Sequence, residues 1–209
     1  MRFNPSLPEI VATAGEDCTV QIFDHASQRI VASIEEHFKK VHDVEWIGEV
    51  LLASCSSDKS VRVWMRESDE TWEMKCGLNI KEHEEEVIAV TAAPNGRFVI
   101  SAGRDATLGF IDLEQGKCLE RVSSAVVDVP YSCAQFHPDG RLLGSGTEAG
   151  DVHLWDMAQQ KIVKSFTDDS SGAICGVSFH QNGHHMATAT ADAVRLWDVR
   201  KMQSIKCAP

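Results

Sequence analysis

One segment of about twelve residues recurs five times along the chain, and this repeat constrains the fold more than any other feature. Each copy begins with small residues, passes through a polar turn and ends in a short apolar run. The copies occupy residues 12–24, 53–64, 101–112, 144–156 and 187–198. Their equivalent closing positions, 41 to 47 residues apart, are Phe23, Trp64, Ile111, Trp155 and Trp197. A period of this length predicts an array of similar units that bury their apolar faces against one another.

Within each copy the pattern is that of short β-strands. Apolar or alternating runs at 87–93 and 174–180 are each followed by a turn. The clearest turn is Pro138-Asp139-Gly140, in which Pro presets φ and Gly accepts a positive φ. With a weaker outer strand after each copy, every repeat has four strands. The sequence therefore predicts an all-β chain, a propeller of four-stranded antiparallel blades.

We assign residues 1–209 to one propeller domain or to a fragment of one. The repeat boundaries are approximate, because the periodic positions define the strands better than the loops between them. The predicted repeats are 1–36, 37–82, 83–124, 125–168 and 169–209.

A recurring polar set accompanies the strands. In the second copy His37, Ser54, Asp58 and Trp64 have the spacing of one hydrogen-bonded chain through a blade, and His83, Ser101 and Asp105 repeat it in the third. A buried carboxylate requires such partners. A catalytic Ser/His/Asp group is the alternative interpretation, but an active site is not normally built once per repeat. We therefore predict structural roles for these side chains, and for Trp155 and Trp197, and no catalytic residue.

Composition restricts the partners. The chain has 20 Lys+Arg against 31 Asp+Glu, a formal charge of −11, and no basic stripe of the kind that binds nucleic acid. No uncharged stretch approaches the length of a membrane-spanning helix.

Seven singly spaced cysteines indicate reduced thiols in an intracellular protein. His180, His184 and His185 share one turn without Cys or carboxylate at ligand spacing, so we predict no metal and no cofactor.

The closing dipeptides resemble those of the WD40 repeat family, whose mark is Trp-Asp at the end of the third strand. Here they are Trp155-Asp156 and Trp197-Asp198, with Phe23-Asp24 and Ile111-Asp112 as divergent versions. The resemblance implies a rigid propeller whose loops bind proteins. A generic WD40 scaffold in signalling or transcription is one alternative for its role.

A longer set of matches, at residues 131–147, 187–189, 194–201 and 37–41, resembles the propeller of the pre-mRNA-processing factor nineteen family of spliceosomal ubiquitin ligases. This resemblance implies a nuclear protein whose partners are spliceosomal subunits and ubiquitination substrates, with DNA repair as a further role. In that family a U-box recruits the conjugating enzyme and a coiled coil makes the oligomer. We find no counterpart of either in this sequence, so we expect no ligase activity and no oligomerisation from these residues alone.

The propeller of that family has seven blades, so we expect the five repeats to form part of a seven-bladed ring. A closed ring of five blades is the alternative, although the sequence shows no evident closing strand. Ubiquitin ligation by a full-length family protein is the alternative function of a different class.

Six charged or titratable side chains on the predicted loops are candidates for partner contact: Lys39, Lys40, His42, Glu85, Glu86 and Arg104. A seventh is Trp72, because residues 65–79 contain about five more residues than the matching segment of the first copy. That insertion also carries Glu67, Asp69 and Glu70. The alternative is a solvated acidic loop with Trp72 folded onto the blade.

Overall fold

The computed structural model describes residues 1–68, 71–123, 129–167, 172–201 and 203–208. Regular secondary structure in these residues is β throughout, which confirms the predicted fold class. The strands form five four-stranded antiparallel sheets, here called blades 1 to 5 in chain order. The described residues contain no helix with the length and apolarity to cross a membrane.

Each blade consists of four consecutive strands, numbered from the innermost to the outermost. The strands are, in blade 1, β1 Arg2–Phe3, β2 Ile10–Ala14, β3 Val20–Asp24 and β4 Arg29–Ile34; in blade 2, β5 Val41–Ile47, β6 Leu51–Ser56, β7 Val61–Arg66 and β8 Met74–Ile80; in blade 3, β9 Val87–Ala92, β10 Phe98–Gly103, β11 Thr107–Asp112 and β12 Lys117–Ser123; in blade 4, β13 Tyr131–Phe136, β14 Leu142–Thr147, β15 Asp151–Asp156 and β16 Lys161–Thr167; in blade 5, β17 Gly176–Phe179, β18 His185–Ala189, β19 Val194–Asp198 and β20 Gln203–Ala208.

The hairpin turns carry the conformations that their residues predict. Gly140, after Pro138 and Asp139, has φ 71°, and Gly96 in the matching turn of blade 3 has φ 70°. Only glycine adopts this backbone region without steric cost. The short turns therefore fix the register of the first two strands in these blades.

The innermost strands of all five blades line one central channel of about 400 Å³. Side chains also connect successive inner strands. Gln135 Oε1 accepts a hydrogen bond from the Phe179 backbone N–H at 2.9 Å, and Asp43 Oδ2 accepts one from the Val90 N–H at 3.3 Å. The blades are thus joined by directional polar contacts near the channel as well as by apolar packing.

The apolar core lies between the faces of neighbouring blades. Trp64, Trp155 and Tyr131 are among its largest buried side chains, and each is at most 1% exposed. Burying a side chain of this size removes 150–250 Å² of largely apolar surface from water. Packing between blades therefore supplies the main stabilising free energy, as expected for stacked repeats.

Every outer strand contains a β-bulge at the same place, opposite the closing position of the third strand and the residue before it. The unpaired residue is the one that the register skips, and three of the five are exposed large aliphatic residues. The five bulged residues are Val31, Gly77, Leu119, Val163 and Ile205. A bulge bends the edge strand and increases its twist, which weakens its pairing with another chain.

Core and bulge leucines should differ sharply in their contribution to stability. Leu143 is fully buried and Leu119 is 44% exposed. We expect Leu143→Ala to lower the free energy of unfolding by about 3 kcal/mol, since it leaves a cavity between blades. Leu119→Ala should change it by less than about 0.5 kcal/mol. Urea unfolding of the two variants tests this, and equal losses would contradict the described packing.

Candidate protein-binding rim

The second blade contains a continuous chain of hydrogen bonds. His37 Nδ1 lies 2.9 Å from Asp58 Oδ2, and His37 Nε2 lies 2.8 Å from Ser54 Oγ. Trp64 Nε1 donates to the same Ser54 Oγ at 2.9 Å. Ser54 accepts from the indole N–H, which can only donate. Because burial lowers the pKa of His37 and favours its neutral form, Ser54 gives its own proton to the unprotonated Nε2. The Nδ1–H of the ring then donates to Asp58.

The third blade repeats this arrangement without the indole. His83 Nδ1 lies 2.9 Å from Asp105 Oδ2 and His83 Nε2 lies 2.7 Å from Ser101 Oγ, while Ile111 occupies the position of the tryptophan. Gly109 makes room for the hydrogen-bonded pair of His83 and Ser101, because a Cβ there would lie 2.6 Å from Ser101 Oγ and 3.2 Å from His83 Nε2. Ser101 is 1% exposed and Ser54 is fully buried, so neither hydroxyl is accessible to a substrate.

Blades 4 and 5 keep only the indole end of the chain. Trp155 Nε1 donates to Ser145 Oγ and Trp197 Nε1 donates to Thr188 Oγ1, each at 2.9 Å. Ala149 stands where blade 4 would have its turn carboxylate. The buried tryptophans are therefore satisfied in both blades without the imidazole and carboxylate.

A hydroxyl two residues after each turn aspartate belongs to the same network. Ser60 Oγ donates to Asp58 Oδ1 at 2.5 Å and Thr107 Oγ1 donates to Asp105 Oδ1 at 2.7 Å. Thr19 makes the corresponding bond in blade 1. Sequence reasoning missed these residues, although their recurrence in three copies at one spacing was a usable signal.

The polar chains determine the charge states of their members. Burial opposes ionisation of Asp58, but hydrogen bonds from Ser60 and His37 outweigh it and lower its pKa to about 2. For Asp105, burial is outweighed by hydrogen bonds from His83 and Thr107, and its pKa is also lowered. Burial lowers the pKa of His37 despite the neighbouring Asp58. At neutral pH the blade 2 chain thus contains a neutral imidazole and an ionised carboxylate.

These chains also hold two loops in place. The backbone N–H of Phe38 donates to Asp58 Oδ2 at 3.2 Å, and that of Glu84 donates to Asp105 Oδ2 at 2.9 Å. Each bond ties the connection entering a blade to the turn between its second and third strands. The loops that carry Lys39, Lys40, Glu85 and Glu86 are therefore fixed at one end of the propeller.

Charged side chains form a rim at that end of the propeller, around the mouth of the channel. We define the rim by the loops 35–40 and 81–86 together with the turns after β2, β6, β10 and β14. Its ion pairs connect blades 1 to 4. The pairs between different blades are Lys40–Glu16 at 2.6 Å, Lys59–Glu85 at 3.9 Å, His42–Glu86 at 3.8 Å and Arg104–Glu148 at 3.3 Å. The pairs within one blade are Arg62–Glu36 at 2.8 Å, Arg104–Glu86 at 3.5 Å and Arg121–Glu84 at 3.1 Å.

His42 lies at the inner edge of the rim. It is the bulged residue of β5, and its Nε2 lies 2.7 Å from Ser57 Oγ. Burial lowers the pKa of His42, against the opposing charge of Glu86. Lys39 is exposed, and its side chain has no ion pair within the described part of the chain.

Two further carboxylates, those of Asp43 and Glu45, lie deeper in the channel and pair with Arg2. Arg2 Nε lies 2.8 Å from Glu45 Oε2, and Arg2 Nη2 lies 3.9 Å from Asp43 Oδ2. Burial raises the pKa of Glu45 to about 7, although Arg2 opposes the shift, and burial raises that of Asp43. The channel wall below His42 therefore has a mixed and partly neutralised charge.

Trp72 lies away from the rim, at the other end of blade 2. Its ring packs edge-on against Trp46 with centroids 6.2 Å apart, and the Arg66 guanidinium lies 3.9 Å from its centroid. Of the two interpretations, the structure shows the ring folded onto the blade. The loop is also shorter than predicted, because β7 extends to Arg66 and β8 begins at Met74. Asp69 and Glu70 lie outside the described residues.

Comparison with known proteins identifies the repeats. The family model for the WD40 domain, described as WD domain, G-beta repeat, matches residues 28–65, 74–112, 116–156 and 160–198. This chain belongs to the WD40 repeat family. WD40 domains are protein-interaction scaffolds, and the predicted family resemblance is confirmed.

Among the relatives of this WD40 chain are plant and animal pre-mRNA-processing factors. It is 40% identical to Pre-mRNA-processing factor 19 homolog 2 of Arabidopsis thaliana over 95% of its own length and 37% of the relative. It is 34% identical to Pre-mRNA-processing factor 19 of Oryza sativa, over 99% and 38% of the two chains. The corresponding values for the Bos taurus protein are 32%, 84% and 34%. The chain thus spans a little over a third of the length of these relatives.

Three residues of the ion pairs between blades, Glu16, Lys59 and Glu148, were not among the predicted contacts. Glu148 occupies the position before the turn aspartate that Arg104 and Glu16 occupy in their copies, so alignment of the repeats was a usable signal. Within the described ranges no three His, Cys, Asp or Glu side chains are placed to hold a metal ion.

Removing the blade 2 carboxylate should destabilise the WD40 fold strongly. We expect Asp58→Ala to lower the free energy of unfolding by about 2–4 kcal/mol, because it leaves the buried His37 N–H without an acceptor. Asp17→Ala is the matched control, since Asp17 is the exposed turn aspartate of blade 1 and should cost less than about 1 kcal/mol. Urea midpoints measure both losses, and equal losses would argue against a structural role for the hydrogen bonds of Asp58.

The effect of Asp58 should depend on pH. Its pKa in the folded protein, about 2, is below its ordinary value, so its ionised form stabilises the fold above about pH 4. That contribution is lost as the pH falls from about 4 towards 2. We expect the difference in unfolding free energy between wild type and Asp58→Asn to be constant from pH 7 to 5 and to shrink below pH 4. A difference that grows on acidification would contradict this assignment.

Proposed function

We propose that this WD40 chain is a protein-binding module that acts with pre-mRNA splicing proteins in the nucleus and contacts them through its rim. The names of its relatives support the splicing role, since Pre-mRNA-processing factor 19 proteins from plants and animals match most of the chain. The WD40 architecture supports a scaffold role. The partners would be protein subunits of the splicing machinery rather than RNA, since the charge of −11 disfavours a polyphosphate ligand.

The exposed ion pairs between blades are the main observation in support of the rim as the contact surface. Lys40, Arg104 and Glu85 are 44%, 50% and 60% exposed in these pairs. An exposed pair contributes about 0–1 kcal/mol, so a partner that offers a new charge can replace it at small cost. The backbone beneath is held by the His37 and His83 chains. The rim therefore combines a rigid support with exchangeable charges.

Lys39 adds an available charge to this surface. Its side chain is exposed, while its carbonyl accepts a hydrogen bond from Ser56 Oγ at 3.1 Å. The backbone is thus fixed while the ammonium group is accessible to solvent. A partner carboxylate that binds Lys39 would displace no ion pair of the described rim, so this residue offers the lowest cost of engagement.

Ubiquitin ligation is the candidate of a different class, and we assign residues 1–209 to partner binding rather than ubiquitin transfer. Membership of the WD40 repeat family supports this assignment, since WD40 domains are protein-interaction scaffolds. Purified protein should leave a ubiquitin-loaded conjugating enzyme intact in a discharge assay, measured against a U-box protein as positive control. Accelerated discharge by this chain would overturn the assignment.

Affinity purification from nuclear extract tests the rim and the splicing role together. The variant is Lys40→Glu with Arg104→Glu, and the matched control is Lys117→Glu with Lys164→Glu on exposed outer strands. We expect wild type and control to recover spliceosomal proteins, identified by mass spectrometry, and the rim variant to lose them by roughly tenfold or more.

The other results have separate meanings. Recovery of only signalling or cytoskeletal proteins would favour the generic WD40 scaffold over the splicing role. Equal recovery of spliceosomal proteins by all three proteins would retain the splicing role and exclude the rim as the contact surface. Circular dichroism and urea midpoints confirm beforehand that the charge-reversal variants remain folded.

A further inference from the structure

An apolar cleft of about 560 Å³ separates blades 3 and 4 at the end of the propeller opposite the rim. Its walls come from the hairpin turns after β9, β13 and β15, from β11 and β12, and from the start of β10 and the end of β13. The principal apolar lining residues are Phe98, Phe110, Leu119, Phe136 and Met157. A cleft of this size and apolarity, with few polar groups at its edge, is typical of a binding site.

The matching space between blades 1 and 2 is already occupied by the chain itself. Trp46 is the residue of β5 that corresponds to Phe136 of β13, and Trp72 packs edge-on against it. On the blade 1 side, the bulged Val31 corresponds to Leu119, and it lines a groove together with Trp72. An indole therefore fills, in one pair of blades, the space that is open in the other.

The difference arises from the length of one loop. Seven residues, 67–73, connect β7 to β8 and bring Trp72 back onto the blade. Only four residues, 157–160, connect β15 to β16. They place Met157 where blade 2 has Arg66, and they contain no aromatic side chain. The cleft beside blade 4 thus has walls like those around Trp72, but the loop of blade 4 supplies no aromatic ring to fill it.

Charge at the mouth adds a second requirement for the occupant. Arg141 lies on the cleft edge and is exposed, and its guanidinium has no ion pair within the described part of the chain. Asp156, also on the edge, uses Oδ1 to accept from the backbone N–H groups of Ala158 and Gln159. In a chain of net charge −11, a cation without an ion pair beside an apolar cleft favours a carboxylate next to the inserted ring.

We propose that the cleft between blades 3 and 4 binds a short linear peptide of a partner protein, which inserts a Trp or Phe side chain next to an acidic residue. The ring lies against Phe136 and Leu119, as Trp72 lies against Trp46 and alongside Val31. The carboxylate pairs with Arg141. This site is separate from the rim, so the two surfaces allow one scaffold to hold two partners at once.

The chain contains a suitable probe. Residues 67–74, Glu-Ser-Asp-Glu-Thr-Trp-Glu-Met, combine an indole with adjacent carboxylates. A labelled synthetic peptide of this sequence, acetylated and amidated, is titrated with the full 209-residue chain and followed by fluorescence polarisation. We expect saturable binding at roughly 10 µM to 1 mM, the range of weak linear motifs, and at least a tenfold loss when its Trp is replaced by Ala.

Two matched pairs of variants locate the binding. Leu119→Glu places a charge at the cleft and should weaken binding about tenfold or more, whereas Val163→Glu, at the same bulge position of the next blade, should change it less than about twofold. Arg141→Glu should weaken it about fivefold, with Lys164→Glu as the control. All four side chains are exposed, so the variants should retain the wild-type urea midpoint.

The proposal is overturned if the peptide shows no saturable binding up to about 1 mM, or if Leu119→Glu and Val163→Glu affect it equally. Unchanged binding by Leu119→Glu would place the peptide elsewhere, for example in the site of Trp72 itself. The Lys40 and Arg104 rim variant should bind the peptide normally. Failure of this proposal and failure of the rim proposal are therefore distinguishable.

Discussion

The cost of burying a carboxylate underlies the whole arrangement of this propeller. Asp58 is stable inside blade 2 only because Ser60, His37 and the Phe38 N–H together supply its hydrogen bonds. The same bonds attach the incoming loop to the turn between the second and third strands. Asp105 attaches the loop 81–86 in the same way, through the Glu84 N–H. The internal polar networks of blades 2 and 3 thus hold the two loops that carry rim charges.

The five blades have similar backbones but differ in the side chains that fill their interiors. Blade 3 replaces the indole with Ile111 and uses Gly109 to admit the imidazole, while blades 4 and 5 keep the indole and omit the buried imidazole and carboxylate. Replacing both partners of a buried hydrogen bond by well-packed apolar groups changes the free energy of unfolding little. The absence of the imidazole and carboxylate is therefore tolerated wherever Trp155 or Trp197 fills the blade and finds one hydroxyl acceptor.

The two ends of the propeller offer different recognition chemistry. The rim is polar, and its charged side chains form ion pairs with one another that a partner's charges could replace. The opposite end has an apolar cleft, and Trp72 fills the equivalent space between blades 1 and 2. Similar blades provide equivalent spaces between them, and small differences in loop length decide whether such a space is filled by a side chain of the protein or stays open. Such separate surfaces are consistent with a scaffold that organises several partners.

The amino-acid sequence by itself determined the β-class, the four-stranded repeat, the hairpin turns such as Pro138 to Gly140 and the grouping of His37, Ser54 and Asp58. These features depend on local pattern and on a period repeated five times. Only the tertiary structure decided the five aligned bulges, the ion pairs between blades, the packing of Trp72 on Trp46 and the open cleft beside Phe136. They depend on which side chains face one another across different blades, and residues distant in the sequence are brought together there by packing that no single repeat contains.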